Sequence, residues 1–272
     1  MPVRLAVVST PRAGNMWLRR QLVALFDLEE RSAHTPAEVD WESLPKACVL
    51  QLHWPRTRSF VKTLDRHGFR VVVLSRHPLD VLISILHFSA HEPQTARWLD
   101  GAYGDERSII GVEPTSHAFW KYATSRRAQA LIDLSAQWWK HGLVAIRYED
   151  LVASPALELQ RVADAVGVTP ALAPDAVTEQ VTFGTLKSET SNQHFWQGQP
   201  NHWRALLPEL EAGDIAHPHR RVIGKLGYKV DPDPRLTHGE AVDRWRAKAT
   251  GRAAGPPGTG YASAAAAAAS PA

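Results

Sequence analysis

The sequence predicts an α/β fold, a central parallel sheet flanked by helices, and three observations predict it. Four short runs are dense in Val, Leu or Ile, as strands buried on both faces are. Stretches with apolar residues at helical spacing come after those runs. Strand and helix therefore alternate, which is the signature of a doubly wound sheet.

The elements run in order along the chain. Arg4–Ser9 reads as the first strand and Asn15–Phe26 as its helix. Ala47–His53 is the second strand, with Thr57–His67 after it. Arg70–Ser75 is the third, followed by Pro78–Phe88, where Pro78 suits a helix start. Leu143–Tyr148 is the fourth, followed by Pro155–Val166. A globular unit is expected over residues 1–230, a C-terminal extension over 231–251, and a disordered Gly/Pro/Ala-rich tail over 252–272. Long segments at 93–116 and 188–208 mix polar and aromatic residues, and the first is a candidate lid. Trp98, Tyr103, Trp120, Trp196 and Trp203 in and near them are candidates for an acceptor pocket, each weighed against plain packing.

Composition narrows the function. Apolar residues are 44% and charged residues 22%, which is globular usage. A net charge of +3 fits an anionic ligand but gives no ground for nucleic-acid binding. One cysteine, Cys48, excludes an internal disulfide and a thiolate zinc cluster, and reads as a small buried residue. No apolar run reaches about eighteen residues and no signal-peptide pattern opens the chain, so no membrane span and a cytoplasmic protein are expected.

Sheets of this class bind ligands at the carboxyl ends of their strands. Thr10-Pro11-Arg12-Ala13-Gly14 comes after the first strand, His53-Trp54-Pro55 after the second, Ser75-Arg76-His77-Pro78 after the third, and Tyr148-Glu149-Asp150 after the fourth. Two cations, a histidine and a tyrosine thus meet on one rim. A glycine-containing turn before a helix offers backbone N–H groups and a partial positive charge to phosphate or sulfate, and Arg12 adds a forked donor. No Gly-Lys-Ser/Thr comes after the glycine, so this is not the common triphosphate loop. Arg76 and Ser84, eight residues apart, make a suitable pair for a second phosphate, and Asp80 between them reads as a first-turn capping acid. Glu149 and Asp150 read as local capping groups.

Together these segments resemble the sulfotransferase family that uses 3′-phosphoadenosine 5′-phosphosulfate as donor. Pro11, Arg12, Ala13, Gly14, Asn15, Met16, Trp17 and Leu18 match its opening Pro-Lys-Ser-Gly-Thr-Thr-Trp-Leu. Arg76, Pro78, Asp80 and Ser84 match Arg-x-Pro-x-Asp-x-x-x-Ser, and Tyr148-Glu149-Asp150 matches Tyr-Glu-Asp. Gln51, Leu52, His53, Trp54 and Pro55 stand at the Lys-Thr-His-x-Pro segment. Phe183 matches an adenine-contacting phenylalanine, and Gly198 the first glycine of Arg-Lys-Gly-x-x-Gly-x-Trp. The chain departs from the family at Arg12, Asn15, Met16 and Gln51, and Trp196-Gln197 replaces the C-terminal basic pair. Arg204 and Arg20 are candidates to compensate.

The resemblance implies a nucleoside-kinase-like fold and sulfuryl transfer to a hydroxyl of a small-molecule, glycan or secondary-metabolite acceptor, with 3′-phosphoadenosine 5′-phosphate as product. It implies His53 as general base, Arg12 on the leaving phosphate, and donor contacts from Arg12, Ala13, Gly14, Asn15, Met16, Trp17, Arg76, Ser84, Tyr148, Phe183 and Gly198. Trp17 reads equally well as a core residue. No metal is expected, because a sulfuryl group carries less charge than a terminal phosphoryl group. Two other readings stay open: an ATP-dependent small-molecule kinase on a related scaffold, and a binding protein with a degenerate donor site. The sequence does not fix the oligomeric state; a homodimer is compatible with it.

Overall fold

The computed structural model describes residues 3–91, 106–189 and 196–249. Five strands form one wholly parallel sheet: β1 (Arg4–Ser9), β2 (Glu29–Ser32), β3 (Cys48–Leu52), β4 (Phe69–Ser75) and β5 (Val144–Arg147). Their order is β2-β3-β1-β4-β5, with β1 in the centre. Of these, β2 has no counterpart among the strands expected from the sequence. Its residues are Glu-Glu-Arg-Ser at an exposed edge, so it carries none of the apolar signal by which buried strands are found.

Alternation along β1 and β3 builds the core on both faces. Leu5, Val7 and Val49 point to one side; Ala6, Val8, Cys48, Leu50 and Leu52 point to the other. The first side is covered by α1 (Asn15–Phe26), and the second by α2 (Arg58–Arg66) through Phe60 and Leu64. Thr57 caps α2, its hydroxyl accepting the Phe60 N–H at 3.2 Å. Helix α3 (Pro78–Ser89) is buried along its whole length, and starts with Pro78 behind a His77 cap. It packs with α4 (His117–Ala123) and α5 (Arg126–Trp138) in a further apolar cluster. After β5 come α6 (Tyr148–Ala153), α7 (Pro155–Val166), α8 (Pro174–Gln180) and α9 (Phe183–Glu189). The last helices are α10 (Glu209–Ala216), α11 (Arg220–Lys225) and α12 (His238–Ala249). Trp245 of α12 is buried in the cluster around α3.

The chain leaves β1 toward the β2 edge and later crosses back to place β4 on β1's other side. That reversal opens a crevice at the carboxyl ends of β1 and β4, where open α/β sheets take their ligands. Residues 92–105, which take in 93–105 of the 93–116 segment with Trp98 and Tyr103, lie outside the described residues, as do 190–195 and the tail. Immediately beyond that gap the chain is firmly held: Glu106 is fully buried and accepts from Tyr122 Oη (2.8 Å) and Arg127 Nε (3.0 Å). Among the described residues no helix is long and apolar enough to cross a membrane.

Candidate active site

The turn after β1 is forced by its backbone. Arg12 has φ 66° and Gly14 φ 99°, both left-handed. A side chain tolerates that region at a cost on the order of 1 kcal/mol, and such outliers gather at binding sites. At Gly14 a side chain is excluded altogether, since a Cβ there would lie 2.4 Å from the Tyr148 ring. The turn thereby presses directly on Tyr148, whose hydroxyl donates to Gly198 O at 2.6 Å. Gly198 is itself left-handed and has no room for a Cβ beside Phe183. Turn, tyrosine, glycine loop and Phe183 form one stack of contacts.

Around it lies a cavity of about 370 Å³, within the usual range for small-ligand sites. Arg12, Gly14, Asn15, Met16, Trp17, His53, Arg76, Ser84, Tyr148, Phe183 and Gly198 all line it. Ala13 does not: its methyl is fully buried in the core and its N–H bonds Thr10 O. Trp17 is core and rim at once, with its ring in the apolar cluster and its Nε1–H donating to Val181 O at 2.9 Å. Trp196 lines the cavity, stacked on His87 at 4.0 Å, whereas Trp203 is buried against His77 and Trp120 is exposed away from the site. Arg20 pairs with Glu30 and Arg204 with Asp231, and neither lines the cavity.

Two guanidinium groups converge here. Arg12 Nε donates to Ser84 Oγ at 3.1 Å, and its guanidinium lies 4.1 Å from the centre of the Phe88 ring. Arg76 lies over the Tyr148 ring at 4.7 Å and donates to Gln199 O at 3.1 Å; its Nε is buried without a hydrogen bond. Burial, and then the neighbouring Arg76, push the Arg12 guanidinium down to about 9. The nearest carboxylate, Asp80, stands 3.9 Å from Arg76 Nε.

Asp80 does not cap its helix. His77 Nδ1 does so, accepting the Leu79 N–H at 3.2 Å. The buried Asp80 carboxylate instead accepts the backbone N–H groups of Asn201 (2.7 Å) and Trp203 (2.9 Å), fastening the loop after Gly198 to α3. Glu149 also acts at a distance, accepting from His77 N–H (2.9 Å) and Tyr228 Oη (2.7 Å). Asp80→Ala leaves the buried Trp203 N–H and the partly buried Asn201 N–H unmet. We expect it to cost about 3 kcal/mol of unfolding free energy, read from urea denaturation, and to weaken ligand binding at the loop it releases. Unchanged stability and binding would show that the loop holds without it.

His53 is buried at the end of β3. Its Nδ1–H donates to Ser9 O at 2.9 Å, which leaves the Nε2 lone pair facing the cavity. Asn15 Nδ2 and Gln51 Nε2 both donate to that atom at 3.2 Å. Burial pushes the imidazole down to about 4, outweighing the Ser9 hydrogen bond that raises it. Asn15 and Gln51 are departures from the family pattern, and here they hold the His53 ring. Among the described residues no group of three or more His, Cys, Asp and Glu is arranged to hold a metal ion.

The sulfotransferase-domain family model matches residues 3–209. The chain belongs to that family. No curated protein matches it in sequence. Among solved structures, the sulfotransferase fold is shared with mouse sulfotransferase SULT7A1 complexed with PAP: 16% identity, 82% of this chain and 85% of that chain covered, TM-score 0.61. Retinol dehydratase, in complex with androsterone and the inactive cofactor PAP, shows 14% identity, 86% and 82% coverage, and a TM-score of 0.54. At these identities the sulfotransferase likeness is one of fold.

Proposed function

We propose that this sulfotransferase moves the sulfuryl group of 3′-phosphoadenosine 5′-phosphosulfate to a hydroxyl of a small-molecule, glycan or secondary-metabolite acceptor, with His53 as general base. The single observation that carries the reading is a part-buried arginine pair lining the same cavity as a histidine whose Nε2 carries no proton. SULT7A1 and retinol dehydratase, crystallised with PAP, support the donor assignment.

The residues suit such a donor. Arg12, Arg76 and Ser84 would hold phosphate groups, since both guanidinium groups and the Ser84 hydroxyl line the cavity and Arg76 Nε makes no hydrogen bond within the chain. Trp17, Phe183 and the backbone at Gly14 and Gly198 would border the nucleoside, with Asn15, Met16 and Tyr148 beside them. The bound donor supplies an activated sulfuryl group whose leaving group is a phosphate. The protein's own work is then positioning and charge. The two guanidinium ions stabilise the growing charge on the leaving phosphate without needing a metal. His53 Nε2 takes the acceptor's proton, and Ser9 O holds the ring by Nδ1–H throughout. Residues 1–230 would form the catalytic unit, with 231–251 as its C-terminal extension.

Calorimetry with 3′-phosphoadenosine 5′-phosphate, ATP–magnesium and adenosine 5′-phosphate tests the donor. Binding that weakens about tenfold or more without the 3′-phosphate is expected. Preference for ATP–magnesium would move the assignment to a kinase, and no binding to any of the three would leave a degenerate donor site.

A further inference from the structure

The sulfotransferase-domain match ends at residue 209, yet the chain beyond it returns to the wall of the cavity. Ser32, His34 and Glu38 line one end of that cavity, over the β2 edge, and Arg12, Arg76 and Ser84 line the α3 end. Helix α12 packs behind the α3 end. Its Trp245 is buried in the cluster around α3, with its ring 5.5 Å from the Trp196 ring at 77°. Trp196 Nε1–H donates to Lys248 O at 3.4 Å, and Arg246 Nε donates to Glu113 Oε1 at 2.8 Å.

Lys248 reaches the wall through a histidine. His202 is buried, lines the cavity, and stands between Asn201 and Trp203, whose backbone N–H groups Asp80 holds. Lys248 Nζ lies 3.4 Å from His202 Nε2. An ammonium only donates, so Nε2 accepts and the ring's hydrogen is on Nδ1. That atom has no hydrogen-bond partner among the described residues and keeps accessible surface, unlike the sealed Trp203 Nε1. Burial, and then Lys248 and Arg76, push the imidazole down to about 4, so it is neutral near pH 7. Lys248 is half-buried, pairs with no carboxylate among the described residues, and has Arg244 as its charged neighbour.

The α3 end is short of positive charge for a ligand with two phosphates. Of the ionised groups that line it, Arg12 and Arg76 stand against Asp80, which leaves a net of one positive charge. Each phosphomonoester of 3′-phosphoadenosine 5′-phosphate carries about −1.5 to −2 near neutrality. Trp196-Gln197, which stands where the family has its basic pair, adds no charge.

We propose that α12 is part of the donor site: His202 Nδ1–H donates to the 3′-phosphate, and Lys248 is the positioning residue that fixes the ring's tautomer and sets a positive charge behind it. The inference rests on the sulfuryl-transfer reading of the same site. Arg12 acts electrostatically on His53, and Arg76 on His202. The phosphate that leaves belongs with the first pair, beside the base, and the 3′-phosphate with the second.

Calorimetry on the full chain tests this, with 3′-phosphoadenosine 5′-phosphate and adenosine 5′-phosphate as paired probes. Lys248→Met keeps the stem and removes the charge. It is expected to raise the dissociation constant of 3′-phosphoadenosine 5′-phosphate about tenfold, the scale of one hydrogen bond to a charged group, and to leave that of adenosine 5′-phosphate within about twofold. Lys248→Arg keeps the charge and should recover most of the loss. His202→Phe keeps a ring in the wall and should cost a similar factor, and the double variant no more than either alone, since the two residues act as one unit. Equal weakening of both nucleotides marks a merely structural role and overturns the proposal, as do losses that add. If the native chain prefers the nucleotide with the 3′-phosphate and Lys248→Met does not reduce that preference, only the assignment of α12 falls. If the native chain shows no such preference, the transfer reading falls with it.

Discussion

His53→Ala lowers kcat by about a thousandfold and leaves the affinity for 3′-phosphoadenosine 5′-phosphate unchanged. The substitution removes the ring nitrogen that accepts from Asn15 and Gln51 beside the cavity, while Arg12, Arg76 and Ser84 stay in place. A loss of both turnover and affinity would mean that His53 supports the turn rather than the reaction. The pH profile of the native protein gives an independent reading. Only the neutral imidazole can take a proton, and burial holds His53 down to about 4. Activity should therefore stay level from pH 8 to about 5 and fall below that, where an ordinary histidine would already cut the rate near 6.5. Stability moves in the same direction. The unfolded chain binds a proton at His53 below about 6.5 and the folded chain does not until about 4, so unfolding becomes easier as pH falls through that window. Rates must be taken well below the melting temperature to keep the two effects apart. An acid limb near 6.5 would remove His53 as the base.

Arg12→Ala raises the dissociation constant of 3′-phosphoadenosine 5′-phosphate by about a hundredfold, the scale of truncating one side of a buried charge pair. Arg12→Lys recovers only part of this, since an ammonium cannot offer two parallel donors. The free protein should respond differently. The folded state holds the Arg12 charge less well than water does, because of burial and Arg76. Removing that charge is therefore expected to leave the melting temperature of the free protein unlowered, while abolishing most of the increase that the nucleotide produces. A variant that binds as tightly as the native protein would place the anion elsewhere; one that melts early would assign Arg12 a structural task.

Much of this is legible in the sequence because it is written in local patterns. The apolar runs of β1, β3, β4 and β5, the Pro78 helix start and the glycine turn each depend on a few neighbouring residues, and all stand where those patterns place them. The features that escape depend on partners far along the chain. Asp80 looks like a first-turn acid from its own helix, and only the fold brings Asn201 and Trp203 to it. Glu149 looks like a local cap until Tyr228 arrives. Asn15 and Gln51 look like losses beside the family pattern until their amides meet on His53. A polar edge strand such as β2 leaves no trace in hydropathy, and the far wall of the cavity is hidden with it.

His53 and the turn after β1 follow neighbouring strands, locked in register from Arg4↔Cys48 to Val8↔Leu52, and His53 is further tied to the last residue of β1. Their separation is thus a property of backbone pairing and does not depend on any flexible side chain. The wall around Ser32–Glu38 enjoys no such protection, being an exposed edge strand and a short turn. Exchange of those seven positions is expected to reshape that wall of the cavity while leaving the spacing of His53 and the turn unchanged.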